Sequence, residues 1–580
     1  MKYRCKVCNY LYNESKEEKF EELIDTWKCP VCNASKETFI EIQESSDMDE
    51  GSFKTVSDVL VEQMVAWGVK YIFGIPGTSS LGIVDAVRKN NGIEYFQVRH
   101  EQTAAMMASA YGKLTGNIAA CLTIAGPGAT NLATGLYDAQ LDKSPVLAIT
   151  GFVERSLIGI KGFQEINQHE FFEPIAVFNQ VITHPDEVTR LTTLAIRHAL
   201  IEKGVSHLTI PADVQKEKCD DKIVSIDGRI ATLAYTANDS LINEAVQRIN
   251  NAKRPIIVAG GGALENQEDI MNLALKISAP ITTSFKGKGV ADNDYPLYVG
   301  VHGNMASSAL NSFVETSDLL IIIGCSCSNK TNLPNCPSIQ IDVDPMVMGE
   351  KHPVDISLLG NSGEIIPQIL EKVEKSDKQE YLKEIDDLKQ RWNESLEKEE
   401  SPSKASLKYP YIMKELSRYA DDDAIIAIDV GENGVRVGRN FPMKHTQKLL
   451  MSGYLATMGF GLPAALVSQI VHPEKQVICV SGDGGFAMVM GDFFTAVKYK
   501  LPVKVFIFNN HELGMIMNEQ KNENYPNWNT HLYNGDFAKF AESCGAVGLK
   551  AGNPEELKLA IEAALKEDGP VIVDIETDFK

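Results

Sequence analysis

Residues 475 to 510, KQVICVSGDGGFAMVMGDFFTAVKYKLPVKVFIFNN, leave this chain little choice of fold. Residues 476 to 481 are an apolar, β-branched run. Phe486, Met490, Phe493, Phe494 and Val497 then repeat at helical spacing, and residues 502 to 508 form a second apolar run. The pattern predicts two parallel strands joined by a crossover helix, with Asp483 and Asn510 at the strands' carboxyl ends. In open parallel sheets that rim is where ligands bind. Gly482, Gly484 and Gly485 let backbone amides approach an anion at a helix start. Asp483 and Asn510 supply the kind of oxygen that magnesium takes beside phosphate oxygens.

The same alternation runs through residues 69 to 75, 93 to 98, 118 to 125 and 146 to 150, and again through 255 to 345 and 424 to 576. Three doubly wound α/β domains with parallel sheets are therefore expected, over residues 53–225, 238–373 and 406–580. Residues 374–405 show weak helical spacing through Tyr381, Ile385, Leu388 and Trp392 and break at Pro402, which predicts a linker helix over the surface. Residues 43–52, QESSDMDEGS, read as a flexible tether with a root-mean-square span of about 16 to 19 Å.

Composition narrows the function. A net charge of −22 argues against a nucleic-acid or anionic-membrane binder. With no run of eighteen apolar residues and a polar N-terminus, neither a membrane span nor a signal peptide is expected. Seven of the eleven cysteines lie beyond residue 42, most in apolar stretches such as IAACLTI, as reduced thiols in a cytoplasm would.

The remaining four, Cys5, Cys8, Cys29 and Cys32, form two CxxC pairs twenty residues apart within residues 1–42. Four thiolates on two tight turns make a tetrahedral cage suited to zinc or to a lone iron, and geometry alone does not choose. Tyr10, Tyr12, Trp27, CPVC and KETF (36 to 39) resemble a rubredoxin, which implies iron cycling between ferrous and ferric, with a structural zinc ribbon as the alternative. Asn9 and Asn33 stand where rubredoxins usually carry glycine, a mild departure because Asn tolerates the left-handed conformation.

GDGG, with twenty-six residues between Asp483 and Asn510, resembles the diphosphate-binding motif of thiamine diphosphate enzymes, and the likeness extends over residues 53 to 580. It implies a pyrimidine, a central and a diphosphate domain, and a magnesium held by the side chains of Asp483 and Asn510 and the backbone carbonyl of Glu512. RHE (99 to 101) resembles the family's catalytic glutamate, here Glu101. GFQE (162 to 165) resembles its Phe-Gln pair, here Phe163 and Gln164, and ATMG (456 to 459) the site of its bulky wedge, here Met458. Read without the family, Glu101 is a helix-start acid and Met458 a core residue. The resemblance also implies sites built between subunits, hence a homodimer at least and a tetramer as the expected assembly.

Within that family GIPG, AGPG, LYDAQLD and GDGGFAMVMGDF are most similar to pyruvate oxidases, which pass two electrons from decarboxylated pyruvate, or a related 2-ketoacid, to FAD. VAGGGA (Gly260, Gly261, Gly262), SFKGKG (Ser284, Lys286) and IDVDP (Asp342, Asp344) resemble their flavin-binding segments, although VAGGGA is not GxGxxG. The chain ends at DIETDFK without the membrane-discharging extension of quinone-linked relatives, so the rubredoxin-like module is the expected electron exit toward an unidentified acceptor. The alternative is an acetolactate synthase that joins two ketoacids with FAD uninvolved in net redox. NNHELGM, GVHG and Lys330 resemble that branch, but Glu519 matches an oxidase glutamate where the synthase has a substrate-gripping tryptophan. Lysine in place of the synthase's arginine also removes a bidentate grip, and the oxidase reading is favoured.

Overall fold

The computed structural model describes all residues except 1, 6–10, 14–18, 21–22, 25–26, 31–34, 43–52, 232–233, 329–330, 403–406 and 578–580. Cys8, Cys32, Tyr10, Asn9, Asn33, Lys330 and the tether 43–52 lie outside the described residues, as does the Cys5 side chain. The chain divides into two compact units, residues 1–55 with 218–220, and the rest.

In the small unit Lys2–Cys5 pairs antiparallel with Leu11–Asn13 on one side and Phe39–Ile42 on the other. Around them Tyr3, Tyr12, Phe20, Trp27 and Phe39 pack ring against ring, Tyr3 and Phe20 stacking with centroids 4.1 Å apart. Cys29 is buried in this cluster, next to an isolated antiparallel bridge between Lys28 and Ser35. Aromatic faces supply most of the apolar area that so short a segment can bury.

The large unit holds three parallel six-stranded sheets with interleaved helices. The first is built from Tyr71–Gly74, Glu94–Gln97, Ala119–Thr123, Val146–Phe152, Ala176–Val181 and Val205–Pro211, laid out 2-1-3-4-6-5. The third repeats that layout with Ile425–Ile428, Lys448–Leu450, Val477–Gly482, Lys504–Asn509, Val547–Ala551 and Val571–Glu576. The middle sheet, Pro255–Ala259, Ile281–Thr283, Tyr298–Val301, Leu319–Ile323, Ser338–Asp342 and Ile356–Leu359, runs 3-2-1-4-5-6, the order of dinucleotide-binding sheets. Strands such as PIIVA and LLIII are buried along their whole length, as sheets covered on both faces require.

Two expectations change. The helix predicted through Phe486 to Val497 is broken into Asp483–Val489, a 3₁₀ turn Met490–Asp492 and Phe493–Tyr499. The buried Asp492 carboxylate accepts Arg99 N–H at 2.7 Å and Thr495 Oγ1–H at 3.0 Å, and this tertiary bond holds the turn out of line. The helix Gln379–Glu399 is more than a surface linker, because its Tyr381, Ile385 and Leu388 are buried in the core of the middle sheet.

The first and third sheets share one apolar core. Helix Glu101–Thr115 presents Ala104, Ala105 and Ala108, and helix Gly461–Val471 presents Ala464 and Ala465. Small side chains let two helices approach closely and bury both faces.

Within the first sheet His207 is fully buried, its ring 3.9 Å from that of Phe172. Nδ1 donates to Asn179 Oδ1 at 2.8 Å and Nε2 accepts from Thr150 Oγ1–H at 2.9 Å, a pattern that fits the neutral ring. Burial pushes its pKa down to about 3. The unfolded chain protonates this histidine below about pH 6.5 and the folded chain does not, so stability falls as pH drops through that interval. We expect His207→Gln to lose less stability than the wild type between pH 8 and pH 5, the gap reaching about 2 kcal/mol. Urea unfolding at the two pH values checks this, and identical losses would remove His207 from the acid response.

Candidate functional site

The rim of the third sheet brings together Asp483, Asn510 and Glu512. Strands Val477–Gly482 and Lys504–Asn509 are neighbours with Gly482 opposite Phe508, so Asp483 and Asn510 emerge side by side. Asp483 Oδ1 accepts Gly484 N–H at 2.9 Å, Oδ2 accepts Asn534 Nδ2–H at 2.6 Å, and the His511 N–H adds a further bond. Burial raises the Asp483 pKa, and those donors partly offset it. Asn510 Oδ1 accepts Glu512 N–H at 3.0 Å and so fixes the turn that carries Glu512, whose side chain meets Thr530 Oγ1 at 2.8 Å.

The glycines fit a cradle. A Cβ on Gly484 would lie 3.1 Å from Leu532, 3.2 Å from Met458 Cε and 3.3 Å from Leu513, and one on Gly485 would lie 2.7 Å from the Asp429 carboxylate. Met458 therefore leans over the start of helix Asp483–Val489. Sequence reading passed over Asp429, although it ends a strand as Asp483 does. Its carboxylate accepts Val430 N–H at 2.7 Å, Gly459 N–H at 2.8 Å and Ser481 Oγ–H at 2.9 Å. Burial raises it to about 6 against those hydrogen bonds. It thereby ties the Met458 loop to the glycine loop.

On the first sheet Glu101 starts helix Glu101–Thr115 behind the cap residue His100. Asn131 Nδ2 donates to Glu101 Oε2 at 3.0 Å, and a Cβ on Gly128 would stand 3.3 Å from Oε1. Gly126, at φ 66°, packs against the backbone of Gln164, itself at φ 65°. The loop carrying Phe163 and Gln164 thus lies against the Gly126–Asn131 segment that holds Glu101. Phe163 is 88% exposed. Glu519, on helix Gly514–Asn522, is exposed too. Among the described residues no hydrogen bond or ion pair joins the Glu101 group to the Asp483 group.

The strand order of the middle sheet reverses between the parallel neighbours Pro255–Ala259 and Leu319–Ile323. Gly260 and Gly262 sit at that point because Gly324 crowds them: a Cβ on Gly260 would lie 2.1 Å from Gly324 O, and one on Gly262 3.0 Å from Gly324 Cα. Gly261 has ordinary contacts only, with the Lys286 side chain. Ser284 caps the turn Phe285–Gly287 through Gly287 N–H, and Lys286 Nζ is taken by Asp142 Oδ1 at 2.9 Å. Asp342, at the end of its strand, is raised by burial, and Asp344 pairs with Lys143.

Comparison with known proteins decides the family. Residues 54–171, 242–369 and 429–575 match the N-terminal, central and C-terminal domains of thiamine pyrophosphate enzymes. The chain belongs to the thiamine pyrophosphate enzyme family. Residues 2–39 match rubredoxin. The chain is 39% identical over 529 residues to the putative thiamine pyrophosphate-containing protein YdaP of Bacillus subtilis, covering 90% of this chain and 91% of that protein. It is 33% identical over 543 residues to a probable acetolactate synthase large subunit of Methanocaldococcus jannaschii (90% and 92% covered). Against the pyruvate oxidase of Lactiplantibacillus plantarum it is 30% identical over 525 residues (89% and 87%). It is a thiamine diphosphate-dependent enzyme of the pyruvate oxidase and acetolactate synthase group.

For such an enzyme, Asp483→Ala removes a carboxylate from the rim without emptying the sheet. Affinity for magnesium and for thiamine diphosphate should fall together, by at least about tenfold. Titration of cofactor-free protein by fluorescence quenching measures both, and unchanged affinity would move the metal elsewhere.

Proposed function

We propose that this thiamine diphosphate enzyme is a flavin-dependent 2-ketoacid oxidase, acting on pyruvate or a close relative. It releases carbon dioxide and an acetyl product, and passes electrons through FAD to the iron of its own rubredoxin-like module. The observation that carries the reading is the rubredoxin match in the same chain as the three thiamine enzyme domains. A one-electron carrier has work to do only where the reaction releases electrons.

The donor set fits the cofactor. Asp483, Asn510 and the Glu512 carbonyl would hold magnesium beside the diphosphate, and glycine at 484 and 485 lets Met458, Leu513, Leu532 and the Asp429 carboxylate pack close to the helix start. When bound, thiamine diphosphate supplies a carbanion that adds to the ketoacid and stabilises the charge left by decarboxylation. Glu101 holds and moves the proton that activates the cofactor's aminopyrimidine. Asn131 occupies Oε2, and Oε1 faces the space beside Gly128. Met458, packed beside Gly484, would support the bound cofactor, and Gln164, Phe163 and Glu519 would line the substrate side. In the middle domain the 3-2-1-4-5-6 order and Asp342 at a strand end favour a dinucleotide, with Gly260, Gly261, Gly262, Ser284 and Asp344 around it. Lys286 serves that site through Asp142.

We further propose a homodimer as the minimum and a tetramer as the working state. Exposed Phe163, Tyr525 at 67% and Trp528 at 77% support a second copy covering these faces. No helix among the described residues is long and apolar enough to cross a membrane, and we place the enzyme in the cytoplasm on its composition. The second reading, an acetolactate synthase-like carboligase, draws on the 33% identical relative.

Anaerobic mixing of holoenzyme with pyruvate separates the two. The oxidase reading expects flavin bleaching, then reduction of the module's iron, with acetate or acetyl phosphate formed. Acetolactate without bleaching would establish the second reading. Glu101→Gln should lower turnover by about two to four orders of magnitude while diphosphate binding persists, and near-normal turnover would place the base elsewhere. Converting Cys29 and Cys32 to Ser should leave flavin reduction intact and slow its reoxidation. A zinc-loaded module, or iron that stays ferric beside fully reduced flavin, would overturn the electron route.

A further inference from the structure

The sequence IIIGCSCS places two cysteines one residue apart where strand Leu319–Ile323 ends. That position is the point at which the middle sheet reverses its strand order. Both side chains are nearly buried, Cys325 at 4% and Cys327 at 6% exposure, in a chain segment whose neighbours Ser326 and Ser328 are half-exposed. Cys327 holds a left-handed backbone conformation, φ 49°, unusual for a residue with a side chain. That turn brings its Sγ to 3.6 Å from the Cys325 carbonyl oxygen, with the two thiols near enough to influence each other's titration. An extended CxC segment would point the two sulfurs along the same face without folding one back on the other.

We infer that Cys325 and Cys327 are a thiol–disulfide pair, with a small hydroperoxide as the oxidant. Three groups prepare Cys325 as the attacking sulfur. Cys327 Sγ lies 3.6 Å from its carbonyl oxygen, Gln340 Nε2 donates to that same oxygen at 3.2 Å, and the Ser284 hydroxyl is near enough to favour its thiolate. The Cys327 thiol hydrogen bond lowers the Cys325 pKa against the effect of burial, whereas its own proton is held more tightly. Cys121, Cys479 and Cys544 differ, because burial raises all three. Small size of the oxidant matters, because nearly buried sulfurs exclude bulky disulfides.

The chemistry balances in two steps. The Cys325 thiolate attacks one peroxide oxygen, the O–O bond breaks, and the alcohol or water leaves with a proton, giving a sulfenic acid. The Cys327 sulfur then attacks the Cys325 sulfur, the S–S bond forms as the S–O bond breaks, and hydroxide departs with the Cys327 proton as water. Two electrons leave the pair and reduce one hydroperoxide.

The test uses the full-length protein and an equimolar amount of hydrogen peroxide, followed by alkylation, digestion without reductant and mass spectrometry. The expected result is a peptide containing both cysteines that carries no alkyl group, is lighter by two hydrogens, and gains two alkyl groups after reduction. Cys327→Ser should stop at a dimedone-trapped sulfenic acid on residue 325, and Cys325→Ser should abolish the reaction at residue 327. Because the wild-type peptide decides, a misfolded variant does not remove the test. Full alkylation of both residues after peroxide, a disulfide from either to Cys336, or sulfenic acid on Cys327 in place of Cys325 would overturn the assignment.

Discussion

A single buried carboxylate ties the three α/β domains together. Asp142, whose side chain is wholly buried at the end of helix Ala133–Leu141, receives Lys113 Nζ at 2.7 Å from the Glu101 helix and Lys286 Nζ at 2.9 Å from the middle domain. It also accepts Gly453 N–H at 2.7 Å and Tyr454 N–H at 3.2 Å from the loop that leads to Met458. Burial alone would raise this acid, but the two lysines outweigh it and hold it at about 2. Burying an unpaired carboxylate costs several kcal/mol, so the arrangement persists only because four donors converge on it. Gly453 has to be glycine here, since a Cβ would lie 2.8 Å from both Asp142 Oδ1 and Lys286 Cδ.

The network matters for the candidate site because it ties the far end of the helix that begins at Glu101 to the loop that leads to Met458. Lys113, in the last turn of the Glu101 helix, also reaches Asp138 Oδ2 at 2.7 Å and Met451 O at 3.0 Å, with its ammonium 4.3 Å from the Phe460 ring centroid. The helix that positions Glu101 is thereby locked to the segment on which Met458 rides. A second internal lysine, Lys288, spans the middle and third domains by donating to Gly438 O at 3.0 Å, and burial lowers it to about 7. Rigid domain placement thus rests on a few buried charged groups, beside the apolar core that the first and third sheets share.

How far this was legible depends on whether a residue acts locally or across domains. The alternation of apolar runs and amphipathic helices shows three parallel sheets because periodicity is a local property. GDGG and the asparagine after the next strand are legible for the same reason. The break at Met490–Asp492 is not, because Asp492 is fixed by the Arg99 amide nearly four hundred residues away in sequence. Asn131 bonding Glu101, Asn534 bonding Asp483 and Lys286 bonding Asp142 likewise leave no mark on their own neighbourhoods. Gly260 and Gly262 read as a nucleotide turn, yet their immediate reason is the crowding Gly324.

At the middle sheet the crowded rim coincides with the reversal of strand order. In an open parallel sheet the two loops beside the reversal of strand order diverge and leave a crevice. Here Gly260, Gly262 and Gly324 let the two loops approach until backbone touches backbone. Gly482, Gly484 and Gly485 act differently: Gly485 makes room for Asp429, while Gly484 keeps a side chain away from Met458 and Leu532. The two glycine clusters, alike in sequence, therefore serve opposite ends. One closes backbone on backbone, and the other lets the side chains of Asp429, Met458, Leu513 and Leu532 pack directly against the start of a helix.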